Sequence, residues 1–262
     1  MKGALSIGAT GMHAQQMNVE VISNNIANMT TSGYKKQRAE FQDLLYQNIQ
    51  RPGASSSDSG TLVPSGLQLG KGVKLDSIMR VHSQGSLQVT DNELDLAING
   101  KGFFQILLPN GETAYTRSGK FQINEDGEIV NSDGYELEPG FTIPDDATSV
   151  TINPNGEVLV AIDGEIEETN LGQFELSIFP NPAGLEAEGD NLFLETEASG
   201  SAVVGSPGED GLGDIMQGVV ELSNVDVVTE ITDMISAQRA YEMNSKVIQT
   251  ADEMLGTLNQ IR

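Results

Sequence analysis

Side chains that could bind a metal ion or a nucleotide form no recognisable motif in this sequence of 262 residues. Its two histidines, His13 and His82, belong to no group of His, Asp and Glu at metal-ligand spacing, so zinc binding is not indicated. The turns at 124–127 and 131–134 contain Asp but lack the spacing of an EF-hand, and ordinary hairpin turns explain them. Segment 100–104 lacks the final glycine of a dinucleotide-binding loop.

A catalytic group is equally hard to find. The sequence has no cysteine, which excludes disulfides and thiolate metal sites. It has no Gly-x-Ser-x-Gly motif, and with 38 Asp and Glu any carboxylate spacing occurs by chance. The sequence therefore predicts neither an enzyme nor a bound cofactor.

Negative charge is concentrated in the middle of the chain. The net charge is −24, and residues 86–214 carry 26 Asp and Glu against three Lys and Arg, whereas residues 1–85 carry five against eight. Binding to phosphate groups needs clustered basic side chains, so this balance argues against a nucleic-acid partner. A solvated outer surface is the simplest interpretation, and cation binding stays open.

The elements that could hold side chains against another helix lie at the two ends. A seven-residue apolar repeat keeps one face of a helix towards a neighbouring helix. The N-terminal repeat is Leu5, Met12, Val19 and Ile26, and the C-terminal repeat is Val227, Met234, Tyr241, Ile248 and Leu255. We predict that two long helices pair in a coiled-coil-like manner and that these residues form a polymerisation interface. A second column, Ala240, Val247, Met254 and Ile261, indicates a face too wide for one partner helix.

Local signals mark the ends of these helices and the segment that follows the first one. Residues 3–31 have a helical pattern, and Gly33 suits a left-handed cap. Ser223-Asn-Val-Asp is typical of a capping box that opens the last helix. Phe41 and the apolar residues at 44–46 have the spacing of a short helix, and the low-complexity stretch after them predicts a flexible loop.

Residues from about 62 to 215 have the pattern of short antiparallel strands, because apolar and polar residues alternate, as at 87–89 and 94–98. Asn-Gly and Asp-Gly dipeptides favour hairpins in which both central residues take positive φ. They occur at 99–100, 110–111, 126–127, 133–134, 155–156 and 163–164. The Gly-rich residues 200–218 predict a linker towards the C-terminal helix.

These patterns together predict an α+β fold in which paired terminal helices flank an all-β antiparallel domain. The predicted domains are a helical one at 1–33 plus 219–262, an extended connecting segment at 34–85 with an extension at 46–66, and a β-rich one at 86–218. No run of 18 apolar residues predicts a membrane span. The N-terminus lacks the features of a cleaved signal peptide.

Three segments resemble the axial proteins of the bacterial flagellum, the family of rod, hook and hook-associated subunits. The N-terminal signature spans residues 23–35, the C-terminal one spans residues 223–254, and residues 96–104 and 115–121 resemble the β domain shared by hook and rod proteins. The motif residues are Asn28, Thr31, Gly33, Tyr34, Lys35, Gln238, Arg239, Tyr241 and Asn244. One departure is Met243, where a small residue is more usual.

This resemblance implies a structural subunit that polymerises into a tube and carries torque in the flagellar basal body. The terminal helices would line an export channel, and the β domain would form the outer layer. Segment 46–66, with Tyr46, Pro52 and Pro64, is similar to an extra segment of distal rod subunits, where it would keep the tube straight. Phe41 and Leu45 are similar to the segment by which rod and hook subunits engage the export gate.

The resemblance implies further copies of this chain, proximal rod and hook subunits, surrounding ring proteins and the flagellar export apparatus as partners. It implies no nucleic acid and no membrane insertion. Export would proceed without a cleaved signal peptide, to a rod that spans the periplasm. Two alternatives stay open on the sequence: a hook or proximal rod subunit of the same family, and an acidic secreted calcium-binding module.

Overall fold

The computed structural model describes residues 2–50, 66–163 and 168–260 and divides them into two compact units. The helical unit comprises the described residues within 1–26, 37–79 and 226–262, and the β unit comprises those within 27–36 and 80–225. Helices at the two ends and antiparallel strands between them confirm the α+β class.

The helical unit contains both helices and four strands. Its elements are α1 (Lys2–Ala27), β1 (Gln37–Asp43), β2 (Gln47–Gln50), β3 (Leu67–Leu69), β4 (Val73–Arg80) and α2 (Val227–Gln260). Strand β1 pairs with β4, and β2 pairs antiparallel with β3. At 1.5 Å per residue, the 34 residues of α2 extend over about 51 Å.

The short helix predicted around Phe41 and residues 44–46 is wrong, because Phe41 lies in strand β1 and Leu44 follows that strand. The backbone N–H of Leu44 donates a hydrogen bond of 2.8 Å to the carbonyl of Gly72, just before β4. A few apolar residues at short spacing do not distinguish a helix from a strand, and pairing with a distant segment decides the outcome.

The cap of α2 lies three residues later than the predicted one. Asp226 Oδ1 accepts a hydrogen bond of 3.0 Å from the backbone N–H of Val228, and Asp226 Oδ2 accepts one of 3.0 Å from Thr229 Oγ1. Ser223 instead accepts from Val225, before the helix begins. A carboxylate is favoured at a helix N-terminus because it accepts from free N–H groups and complements the helix dipole.

The β unit contains the remaining strands and one short 3₁₀ turn, Pro182–Gly184. The strands are β5 (Leu87–Val89), β6 (Leu96–Asn99), β7 (Phe104–Leu107), β8 (Thr113–Thr116), β9 (Gln122–Ile123), β10 (Ile129–Val130), β11 (Glu136–Glu138), β12 (Ala147–Ile152), β13 (Glu157–Ile162), β14 (Thr169–Gln173), β15 (Leu176–Ile178), β16 (Glu186–Gly189), β17 (Leu192–Leu194), β18 (Val203–Gly205), β19 (Asp214–Gln217) and β20 (Val219–Glu221). The largest sheet has the order β16-β17-β8-β7-β11-β10-β9, and a second has the order β12-β13-β14. Three pairs, β15-β18, β19-β6 and β20-β5, complete the unit.

Four of the predicted hairpin dipeptides join consecutive paired strands, at 110–111, 126–127, 133–134 and 155–156. Only the glycine in each has positive φ, so the prediction of two such residues per turn is wrong. In the turn at 124–127, Asn124 Oδ1 accepts from the N–H groups of Asp126 and Glu128, and Gly127 takes the left-handed position. The dipeptide at 99–100 joins no hairpin, since β6 pairs with β19, and 163–164 lies partly outside the described residues.

The linker predicted at 200–218 is also wrong, because strands β18 and β19 lie within it, each paired with another strand. Ile215 of β19 is buried opposite Ile98 of β6. A Cβ atom on Gly213 would lie 2.5 Å from the carbonyl oxygen of Asn99. Glycine is therefore needed at that position for close backbone approach rather than for flexibility.

Aromatic side chains fill much of the interior of the β unit. The ring centroids of Phe104 and Phe121 are 5.3 Å apart, and those of Phe141 and Phe174 are 5.0 Å apart. Among the described Asp and Glu of residues 86–214, only Asp95 is buried, so the acidic charge lies on the surface of this unit. No helix within the described residues is both long enough and apolar enough to cross a membrane.

Candidate assembly interface

The two terminal helices pack against each other, as the heptads predicted, and they run in antiparallel directions. Near the start of α1, a Cβ atom on Gly8 would lie 2.9 Å from Ile248 Cγ1, and one on Gly11 would lie 2.9 Å from Asn244 Nδ2. The distance between packed helices depends on the side chains at the contact. The two glycines weaken α1 as a helix but let α2 approach closely.

A buried hydrogen-bond cluster connects the opposite end of α1 to the start of α2. Asn25 Nδ2 donates to Glu230 Oε2 at 3.1 Å and to the carbonyl of Gln37 at 2.8 Å, and Asn25 Oδ1 accepts from the N–H of Gln37 at 2.8 Å. Asn25 and Glu230 are both buried. A hydrogen bond to a charged group contributes about 1.5–3 kcal/mol, so this cluster holds the register of the pair.

Of the predicted heptad residues, Ile248 packs at the closest approach of the helices, where it faces Gly8, but none of the nine is fully buried. Leu5, Met12, Val19, Ile26, Val227, Met234, Ile248 and Leu255 are half-buried, and Tyr241 is exposed. Within residues 227–257 of α2, the buried side chains are Glu230, Ala237 and Ala251. The predicted columns thus keep much of their surface accessible, and their role in polymerisation stays a prediction.

Large apolar side chains cover other faces of α2 and point to no partner within the described chain. Val228, Ile231, Ile235, Met243, Val247 and Met254 are all exposed, Val228 to 75% and Met243 to 65%. The second column predicted from the sequence contributes Val247 and Met254 to this set, and its last residue, Ile261, lies outside the described residues. An extended apolar surface of this kind marks a site of protein association.

A groove of about 460 Å³ runs along one flank of the helix pair. It is lined by Gln15, Gln16, Val19 and Glu20 from α1 and by Gln238, Tyr241 and Glu242 from α2. Two residues of the predicted interface, Val19 and Tyr241, therefore lie together. The motif residue Gln238 lines the same groove, Asn244 faces Gly8 and Gly11, and Arg239 is exposed.

The other motif residues lie in residues 27–36, the first segment of the β unit. Asn28 Oδ1 accepts from Thr31 Oγ1 at 3.2 Å in the turn after α1. Gly33 has the predicted left-handed conformation, with φ of +71°, but α1 ends at Ala27, so Gly33 lies in a later turn and the prediction that it caps the helix is wrong. A Cβ atom there would lie 2.5 Å from the backbone nitrogen of Ser118. Tyr34 and Lys35 are buried.

Lys35 belongs to a buried ionic cluster that the sequence did not predict. Its Nζ lies 2.6 Å from Glu221 Oε1, and Arg117 Nη1 lies 3.3 Å from Glu221 Oε2. All three side chains are at most 5% exposed. Burial lowers the pKa of Lys35 and of Arg117, and the Glu221 carboxylate opposes both shifts. Lys35 and Arg117 each lie in a segment of family resemblance, but nothing in the sequence singled out Glu221.

His82 lies beside this cluster rather than in a metal site. Its ring centroid is 5.7 Å from those of both Phe103 and Phe193. Burial, followed by the positive charges of Lys35, Arg80 and Arg117, lowers the pKa of His82 to about 4. The carbonyl of Pro182 favours the charged ring slightly but lies outside hydrogen-bond geometry. Among the described residues no group of three or more His, Asp and Glu could hold a metal ion.

The described residues of the segments predicted for straightness and export belong to the helical unit. Tyr46 is exposed just before β2, while Pro52 and Pro64 lie outside the described residues. Phe41 is half-buried in β1, and Leu45 is 87% exposed. No contact of Phe41, Leu45 or Tyr46 reveals a role, so both functions stay predictions.

Three protein-family models match successive parts of the chain. Residues 5–35 match the model described as "Flagella basal body rod protein", and residues 97–160 match "Flagellar hook protein FlgE/F/G D1 domain". Residues 216–261 match "Flagellar basal body rod FlgEFG protein C-terminal". The matches coincide with the two terminal signatures and the first part of the β unit.

Several curated proteins are similar to the chain over nearly its whole length. The flagellar basal-body rod protein FlgG of Caulobacter vibrioides is 59% identical over 99% of this chain and 99% of its own. The proteins of the same name from Agrobacterium fabrum and Borreliella burgdorferi are 50% and 48% identical, over at least 98% of each chain.

Proposed function

The chain belongs to the family of flagellar basal-body rod proteins and is a structural subunit of the flagellar rod, and we propose that it polymerises into the straight distal part of that rod. In this role it transmits torque from the motor to the hook, encloses part of the export channel, and catalyses no reaction. The exposed apolar residues of α2 are the observation that carries this proposal.

The helical unit supplies the surface for assembly in this proposal. Burying one large apolar side chain contributes roughly 1.5–3 kcal/mol. Val228, Ile231, Ile235, Met243, Val247 and Met254 would together stabilise each subunit in the polymer by about 10 kcal/mol before the entropy cost of association. The acidic surface of the β unit would remain solvated and keep the assembled tube soluble.

The partners of the rod follow from the same role. Copies of the chain contact one another, and proximal rod subunits, hook subunits and surrounding ring proteins contact the ends and sides of the tube. Its place is the flagellar basal body, in the part that spans the periplasm. The full-length similarity to rod proteins favours this role over a secreted calcium-binding module.

Export of the chain through the flagellar apparatus, without removal of a signal peptide, completes the proposal. Phe41 and Leu45 would engage the export gate, and the 87% exposure of Leu45 is compatible with such a contact. Replacing Leu45 with Ala should lower the secreted amount but not the cytosolic amount, and unchanged secretion would remove this segment from the proposal.

Electron microscopy of the purified chain tests the distal-rod assignment, with a deletion of residues 47–64 as the variant. The wild-type chain should form straight tubes, and the deleted chain should form tubes that bend, because material wedged between neighbours blocks the sliding that curvature requires. Circular dichroism of both chains checks that the β unit stays folded. Curved tubes from the wild type would indicate a hook-type subunit, and straight tubes from the deleted chain would place rigidity elsewhere.

A further inference from the structure

One flank of α2 carries no carboxylate, although the chain as a whole has a net charge of −24. With 3.6 residues per turn, this flank brings together Arg239, Ala240, Met243, Lys246, Val247, Thr250 and Met254. We call it the ridge. Met243, Val247 and Met254 are exposed, as are both cations. The ion pairs of the described residues involve Lys35, Arg38 and Arg117, so Arg239 and Lys246 form none there, although Glu242 lies one turn before Lys246.

The groove on the helix pair has the complementary character. Its apolar side chains are Val19 and Tyr241, and its two charged side chains are Glu20 and Glu242, both exposed. On the helical wheel of α2, the groove residues Gln238 and Tyr241 lie roughly opposite Met243 and Val247, whereas Glu242 lies at the edge of the groove, one turn before Lys246. The apolar parts of ridge and groove therefore face opposite sides of one helix and cannot meet within one chain.

We propose that the ridge of one subunit docks into the groove of a second copy of this chain, an inference that rests on the proposed function as a rod subunit. Met243 and Val247 would cover Val19 and Tyr241, while Arg239 and Lys246 would face Glu20 and Glu242. Opposite charge across an interface selects the partner and its register. Because the two surfaces differ, the contact is heterologous, and repeating it builds an open chain or helix rather than a closed dimer.

Disulfide crosslinking tests the contact directly, since the sequence contains no native cysteine. The doubly substituted chain Val19→Cys/Met243→Cys should give a ladder of dimers, trimers and larger species when it is oxidised under assembly conditions. A mixture of the two single variants should give only dimers, and each single variant alone should give none. The matched control is Val19→Cys/Gln249→Cys, because Gln249 is an exposed residue on the groove side of α2.

Charge exchange provides a second, independent test. Glu20→Lys/Glu242→Lys and Arg239→Glu/Lys246→Glu should each raise the critical concentration for tube formation at least about fivefold, because like charges then face each other at every contact. A chain with all four substitutions should assemble close to the wild-type concentration. Assembly is measured by sedimentation, and circular dichroism confirms that each variant is folded.

The outcomes separate this inference from the rod function. If the wild type forms tubes but the crosslink ladder is missing, or is equally strong in the Gln249 control, ridge and groove do not meet and the subunit function still stands. If the variant with all four substitutions fails to assemble close to the wild-type concentration, the proposed charge pairing is wrong. If the wild type forms no tubes and the doubly substituted chain gives no crosslink ladder, both the docking contact and the proposed polymerisation are wrong.

Discussion

At the scale of single residues, the buried cluster at the entry of the β unit is the feature most open to test. One carboxylate, Glu221, faces Lys35 and Arg117, and its Oε1 also accepts a hydrogen bond of 2.7 Å from the N–H of Gly85. The cluster thus connects the segment after α1 to strand β20, the last strand before α2. Two cations that depend on one buried anion make this anion hard to replace.

Replacing Glu221 with Gln should lower the free energy of unfolding by about 3–5 kcal/mol, because the change leaves two buried cations without their carboxylate. The matched control is Glu40→Gln, which removes an exposed ion pair with Arg38 and should cost about 0–1 kcal/mol. Urea unfolding of the full chain, followed by circular dichroism, measures both. Equal losses of unfolding free energy in the two variants would mean that the buried cluster stabilises the fold no more than an exposed ion pair does.

His82 should make stability depend on pH. Its pKa is about 4 in the folded chain against an ordinary value of 6.5, so the unfolded chain binds the proton more readily. The contribution of His82 to the free energy of unfolding is therefore fully present above pH 6.5 and is lost as the pH falls towards 4. Between pH 7 and pH 5 the loss from this group should be about 2 kcal/mol.

His82→Gln should remove that part of the pH dependence, whereas His13→Gln, at an exposed position on α1, should leave it unchanged. Urea unfolding at pH 7 and at pH 5 gives the difference for each variant. Other carboxylates titrate equally in all three chains, so only the difference between variants counts. The same pH dependence in His82→Gln and in the wild type would contradict this assignment.

At the scale of elements, the sequence predicted the helices well and their contact poorly. The heptads identified α1, α2 and their pairing, because apolar periodicity reports which face is buried. They missed Gly8, Gly11, Asn25 and Glu230, which make the closest contacts, because small and polar residues leave no hydrophobic signal. A pair of helices can be recognised from one sequence, but its line of closest approach depends on both helices together.

The same limit explains the errors in the strands. Phe41 lies in β1 because of a partner strand far along the chain, and Ile215 is buried in β19 although glycines surround it in the sequence. Hairpin dipeptides were predicted correctly where the two strands were neighbours in sequence, as at Gly111 and Gly134. The conformation of a turn depends on residues that are adjacent in sequence, so it can be predicted from them. Glu221 and its two cations, in contrast, come together only through pairing of segments that are distant in sequence.

The close approach of α1 and α2 gives a prediction at this scale. Gly11→Leu should separate the helices, because even a Cβ atom there would lie within 3 Å of the Asn244 side chain. Amide hydrogen exchange in both helices should accelerate at least about tenfold, as expected when local opening becomes easier. The control is Gly3→Leu, at a position of α1 with nothing within 4 Å of its Cβ. Unchanged exchange in Gly11→Leu would show that the pairing does not depend on this contact.

At the scale of the whole molecule, acidic side chains predominate in the β unit, and most of the exposed large apolar side chains of the described residues belong to the helical unit. The acidic side chains of residues 86–214 lie on the surface of the β unit, while the exposed apolar side chains of α2 belong to the helical unit. Such a division suits a subunit that associates through one part and remains solvated through the other. Acidic surfaces repel one another, and salt screens this repulsion beyond about 8 Å at 0.15 M.

Helical reconstruction by electron cryomicroscopy of tubes from the purified full chain tests the central claim most directly, since it shows which residues join neighbouring subunits. The contacts should run through α1 and α2, with Val228, Ile231, Ile235, Met243, Val247 and Met254 buried, and the acidic side chains of the β unit should face solvent. Tubes joined mainly through the β unit, with these apolar side chains of α2 still exposed, would contradict the account.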